Sequence, residues 1–94
     1  MKSIDTIRKE IDILDDQIMS LLEERYNKTN EIGRLKQQEN IVILDVNREN
    51  YIINKISKYS HSPQIESIYR AIMKESRKAQ KKEWSLCMDY LERN

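Results

Sequence analysis

Residues 4–36 read IDTIRKEIDILDDQIMSLLEERYNKTNEIGRLK, and the spacing of their apolar side chains decides the fold. Ile4, Ile7, Ile11, Leu14, Ile18 and Leu21, then Ile32 and Leu35, recur at alternating three- and four-residue steps. That is the seam of one long amphipathic helix. The same heptad count carried through the gap puts Arg25 and Lys28 where two more apolar residues belong. A guanidinium on a buried seam is costly unless an anion or a carboxylate meets it. The stretch therefore predicts a long helix with a charged pocket cut into its middle.

A helix over about residues 3–38 would be ~50 Å long. A compact globule of this chain length has a radius of gyration of only ~12 Å. The helix would overhang its own domain and leave half its stripe wet, so a second chain is expected to cover it. The expectation is an obligate, intertwined homodimer. Gly33 leaves two readings open, since glycine inside a helix costs ~1 kcal/mol relative to Ala. Either the helix breaks there and folds back, or the missing side chain lets another helix approach closely. We take the second.

Outward from this helix, the β-branched run Ile41-Val42-Ile43-Leu44 has no sheet to join and is read as a buried connector. Asp45 is a good N-cap for a second helix over about residues 46–59, with Ile52, Ile53 and Ile56 on its core face. Residues 57–62 loosen into a loop. Ser62-Pro63 then supplies a cap and a first-turn proline. The third helix carries Ile65, Ile68, Tyr69, Ile72 and Met73 on one face and continues through Ser76, Ala79 and Gln80 to Trp84 and towards Leu91. The expected class is all-α, with three helices per chain in a single domain over residues 1–94.

Composition narrows the function classes. Of 94 residues, 38% are hydrophobic and 35% charged, with one Gly, one Pro and no Phe, a helix-rich balance. The regular apolar spacing argues against disorder despite the polarity. A net charge of +1 gives no global pull toward nucleic acid or membrane. No stretch has the length and apolarity to span a bilayer, and the N-terminus has no signal-peptide core. The single Cys87 excludes an intramolecular disulfide and fits a reducing compartment, so a cytoplasmic protein is expected. One His and one Cys make a His/Cys metal site improbable.

Several side chains could carry chemistry. Arg25 and Lys36 are eleven residues apart, ~16 Å along the axis but only ~20° around it, so both can point into one pocket. Arg8 lies a quarter turn away and cannot easily serve its own helix's pocket; in a dimer it could serve the partner's. Taken alone, Lys36 and Arg8 read as solvated cations, whereas Arg25 on the seam reads as functional. Asp45, Arg48 and Glu49 share one face at the start of the second helix. Ser76 and Gln80 extend the apolar face of the third, marking either a polar pocket or simply the end of that face. The set suits a small polyanion that also carries a hydroxyl or ether oxygen. No Ser/His/Asp or Cys/His arrangement is available for nucleophilic catalysis. His61 reads as surface. A catalytic site here would work by positioning and fixed positive charge.

Taken together, I-R-x-x-I-D-x-L-D-x-x-I-x-x-L-L-x-x-R from Ile7 to Arg25, E-I-G-R-L-K from Glu31 to Lys36, D-V-N-R-E from Asp45 to Glu49 and S-R-K-A-Q from Ser76 to Gln80 resemble the all-helical (AroQ-class) chorismate mutase family. The likeness covers about residues 4–82, and its force lies in four motifs in order. It implies an intertwined three-helix homodimer that converts chorismate to prephenate by a one-step Claisen rearrangement, without cofactor or covalent intermediate. It further implies that Arg25 and an Arg8 donated by the other protomer hold substrate carboxylates. Lys36 and Gln80 match the pair that hydrogen-bonds the ether oxygen. Glu49 and the backbone N–H of Asp45 match the groups that take the ring hydroxyl, with Arg48 and Ser76 as further polar contacts. The sequence departs from the family between Lys58 and Ile65, where a fuller loop is pared to Ser-His-Ser-Pro. The chain is also too short to include the synthase, dehydratase or dehydrogenase domain fused to some relatives.

Two other readings compete. Isochorismate-pyruvate lyases resemble these mutases and use nearly the same cations. A non-enzymatic helical module is the reading from another class, with Arg70, Lys74, Arg77, Lys78, Lys81 and Lys82 as a nucleic-acid stripe relieved only by Glu75. With overall charge near zero, that stripe is read as facing solvent and helping to draw in a dianionic substrate.

Overall fold

The computed structural model describes the backbone of residues 1–93 and the side chains of residues 1–82. It is all-α: α1 spans Ile4–Glu39, α2 Val46–Ile56 and α3 Ser62–Arg93. α1 begins where Ser3 turns extended and its hydroxyl accepts the Thr6 N–H at 3.2 Å. It ends at Asn40, whose left-handed backbone (φ 57°) is one that asparagine tolerates better than most residues. Between these caps the helix is unbroken through Gly33.

α2 starts as expected, with Asp45 Oδ1 accepting the Arg48 N–H at 3.0 Å. It stops three residues before the expected end. The Ser57 hydroxyl donates to the Asn54 carbonyl at 2.8 Å and, with the Ser57 N–H, closes the last turn. α3 begins one position earlier in register than expected: the His61 carbonyl accepts the Ile65 N–H, so His61 takes the capping place. Ser62 and Pro63 are then its first two residues. A proline N is harmless there, because first-turn N–H groups have no partner within the helix. The helical backbone extends past Trp84 and Leu91; those side chains and Cys87 lie outside the described side chains.

The connector at residues 41–44 forms no strand, but it is not buried as expected. Val42 is largely exposed, with Ile41 and Leu44 about half so, and only Ile43 tucks in. No described residue of the chain forms a layer on that side to cover them. On α3, Ile68 also stands exposed, because it lies ~120° around the axis from Gln80, off the side that meets α1. Ile65, Tyr69 and Ile72 are half-buried and Met73 is buried.

α1 and α3 meet along small and polar residues. Thr29 and Gly33 of α1 are buried, as are Ser76 and Gln80 of α3. A Cβ added at Gly33 would lie 2.9 Å from Gln80 Cα, so the glycine serves close approach. Arg25 reaches Ser76 and Gly33 meets Gln80, so α3 passes α1 in the same chain sense. All of this lies in the C-terminal half of α1. Every residue from 1 to 21 is exposed, with the seam running from 43% at Ile7 to 69% at Ile4. Among the described residues, only Ile56 and Met73 are buried hydrophobics. The radius of gyration is 17.6 Å, well above the ~12 Å of a compact globule of this length.

Candidate active site

Three helices and the connector converge on one cavity of about 370 Å³. From α1 come Arg25, Lys28, Thr29, Ile32 and Lys36; from the connector, Ile43 and Asp45. Arg48, Glu49 and Ile52 of α2 form a second wall, and Met73, Ser76, Arg77 and Gln80 of α3 a third. Seven of the side chains singled out in the sequence are thus brought together: Arg25, Lys36, Asp45, Arg48, Glu49, Ser76 and Gln80. Arg8 is not. It sits on the exposed N-terminal half of α1 and does not line the cavity.

Each polar wall is held by a specific bond. Arg25 Nη1 donates to Ser76 Oγ at 2.6 Å, and that hydroxyl donates in turn to the Ile72 carbonyl at 2.8 Å. The relay fixes the guanidinium across the α1–α3 gap. Lys36 Nζ donates to the Ile43 carbonyl at 2.6 Å, tying the connector to the cavity and leaving further ammonium protons for a ligand. Gln80 is only 8% exposed, and its Oε1 meets no donor among the described residues. Asp45 combines two tasks, its carboxylate capping α2 while its residue lines the cavity.

Arg48 stands at the exposed rim, its guanidinium 5.3 Å from the Tyr51 ring, with Lys55 at 4.4 Å over the same ring. A side-chain hydrogen bond from Lys55 and its charge, with Arg48 adding less, draw the Tyr51 phenol below its ordinary pKa. Arg25, Arg48 and Ile52 also border a second open recess of about 570 Å³, which carries Lys55, Lys58, Tyr59 and Tyr69.

One cation was misread from the sequence. Arg77, expected in the solvent-facing stripe of α3, turns inward and pairs with Glu49. It lies one residue past Ser76 and three before Gln80, and that adjacency is the signal that could have placed it. Lys28 was flagged on the seam and does line the cavity, while its ammonium pairs with Glu31 at 3.4 Å. The apolar lining by Ile32, Ile43 and Ile52 carried no signal separable from ordinary core.

The cavity is small, partly apolar and rich in forked and point-like cations, with two carboxylate residues, Asp45 and Glu49, and one buried amide. Such a lining suits a compact dianion carrying hydroxyl or ether oxygens. No helix, among the described residues, is long and apolar enough to cross a membrane.

Comparison with known proteins points the same way. The sequence pattern of the family described as chorismate mutase type II matches residues 7–81. The chain is 40% identical over 52 residues to a protein named chorismate mutase from Methanocaldococcus jannaschii, a match covering 55% of this chain and 52% of that protein. It is 39% identical over 56 residues to a bifunctional chorismate mutase/prephenate dehydratase from Aquifex aeolicus, covering 60% of this chain and 16% of that one. The match thus spans about half the length of the first relative and a small part of the second.

Proposed function

We propose, because this chain belongs to the chorismate mutase type II family, that it rearranges chorismate to prephenate. The observation that carries this reading is that Lys36 and Gln80, on different helices, line one cavity with Arg25. In the proposed reaction the ether C–O bond breaks as a new C–C bond forms, with no proton transferred and no covalent intermediate. Arg25, held by Ser76, grips one carboxylate through its forked donors. Lys36 and the Gln80 amide face the ether oxygen, where negative charge grows. Donors fixed in advance at such a point lower the barrier, each by ~3–4 kcal/mol. Glu49 and the Asp45 N–H take the ring hydroxyl, and Arg48 closes the rim.

For the second carboxylate, the family resemblance implies an arginine from a second chain. We propose a homodimer in which the exposed stripe of each α1 is covered by its partner and Arg8 is donated to the partner's cavity. The bare seam over residues 4–21 and the scarcity of buried hydrophobics among the described residues support this. A domain of this size needs ~5–15 kcal/mol of net stability, which so little burial cannot supply. We read residues 1–94 as one such domain, working in the cytoplasm.

The test is to incubate the pure protein with chorismate, and separately with isochorismate, and to identify products by chromatography. Prephenate from chorismate is expected. Pyruvate and salicylate from isochorismate, with feeble prephenate formation, would transfer the protein to the lyase reading. Silence on both from a folded dimer would end the enzymatic reading.

A further inference from the structure

Arg77 lines the cavity, yet neither the motifs nor the mutase reading provides a task for it. Its Nη1 donates to Glu49 Oε2 at 2.5 Å, joining α3 to the first turn of α2. The two side chains are 35% and 25% exposed. By contrast, Lys28–Glu31, Arg70–Glu66 and Lys78–Glu75 each link neighbours within one helix and are more exposed. Exposed pairs of that kind contribute little. A half-covered, charge-assisted bond between two helices fixes a direction as well as a distance.

The consequence concerns Glu49. A glutamate rotates about several bonds, and ordering a free one on binding would cost affinity. With Oε2 engaged, the carboxylate is oriented beforehand and Oε1 is left as the acceptor for a ligand. The charge of Arg77 is met by Glu49, which makes it a poor further anchor for a substrate carboxylate.

We propose that Arg77 is a positioning residue, clamping Glu49 Oε2 so that Oε1 receives the O–H of the substrate's ring hydroxyl, and that it acts on the substrate only through Glu49. The inference rests on the mutase reading above. No charge develops at that hydroxyl during the rearrangement, so the contact is as strong in the bound substrate as in the transition state. Its loss should therefore appear in KM rather than kcat.

The experiment is a double-mutant cycle on the whole chain with chorismate, using Arg77→Met, Glu49→Ala and the double variant, with thermal midpoints measured alongside. Arg77→Met should raise KM about tenfold with kcat within about twofold, and Arg77→Lys should recover most of that. Glu49→Ala should raise KM at least as much, and adding Arg77→Met to it should change nothing further. Should Arg77→Met fail to fold, Arg77→Gln keeps a shorter, polar side chain without the guanidinium charge and gives the same comparison. In an active wild type, losses that multiply would mean Arg77 touches the substrate itself and would overturn the proposal. An unchanged KM in Arg77→Met, whatever its midpoint, would reduce the pair to a structural tie and overturn it too. A wild type inactive on chorismate would instead remove the mutase reading, and this inference with it.

Discussion

Gly33→Ala sets two effects against each other at the point where α1 and α3 touch. The added methyl would sit 2.9 Å from Gln80 Cα and 3.3 Å from both Gln80 Cβ and the Gln80 carbonyl oxygen. Comfortable carbon–carbon contact is ~3.5–4.0 Å, so the helices must separate by at least about half an ångström. The atoms met are mainly backbone and cannot swing aside. Overpacking of this kind costs ~1–3 kcal/mol. Replacing a mid-helix glycine by alanine returns up to ~1 kcal/mol through helix propensity. The expected balance is a destabilisation of ~1 kcal/mol, a thermal shift of several degrees in a domain of this size. The functional loss should be larger than that shift suggests, because the residue displaced is Gln80 itself. A misplacement of ~1 Å in a catalytic group costs ~100-fold, and half that displacement about tenfold, in kcat. Initial rates of prephenate formation, with thermal unfolding at the same protein concentration, test this. Full kcat in a folded Gly33→Ala would refute the reasoning, since it would mean that the α1–α3 spacing does not govern the amide.

Three further predictions follow from the site. Mixing Arg8→Ala with Arg25→Ala protein should restore about a quarter of wild-type activity, because half the random dimers are mixed and each has one intact site; no recovery would mean that Arg8 does not cross between chains. Wild-type kcat/KM should change little between mildly acidic and mildly basic pH, because an amide donates without titrating, whereas Gln80→Glu should fall about tenfold per pH unit above its carboxyl pKa. A steep wild-type fall above neutrality would count against Gln80 as the donor. Lys36→Ala should lower kcat by ~100–1000-fold, the loss measured for an oxyanion donor; near-normal turnover would remove Lys36 from the reacting oxygen.

What the sequence disclosed followed the physics of periodicity. The three-and-four spacing of apolar residues from Ile4 to Leu21 and the cations that interrupt it were enough for a long helix and for the place of a pocket. Asp45 as a cap was legible because its chemistry is local. Gly33 was legible as a contact point because a lone glycine inside a good helix calls for a reason. The misreading of Arg77 was long-range. Adjacency to Ser76 and Gln80 could have brought Arg77 to the cavity, but nothing local names Glu49 as its partner while Lys78, its neighbour, pairs along its own helix with Glu75. The choice depends on α2 lying beside that face. The early stop of α2 turned on a serine side chain folding back onto the Asn54 carbonyl, a competition that propensity does not resolve.

The two halves of α1 follow different packing rules, and that difference bears on the dimer. From Arg25 onward, cations interrupt the seam before Ile32 and Leu35 resume it, with Thr29 and Gly33 buried alongside, and it is there that α3 packs against the helix and the cavity forms. Before Arg25, the seam is apolar and stands exposed among the described residues. Apolar side chains at helical spacing contribute only when buried, at ~25 cal/mol per Å², so the first half stabilises nothing until another surface meets it. Arg8 belongs to that first half. It stands seventeen residues, ~25 Å along the axis, before the Arg25 that shares its proposed task. An arginine side chain cannot cover that distance within a rigid helix. If Arg8 reaches any cavity of this kind, it is a second copy's, and the surface that covers the bare seam is then the one that completes the site.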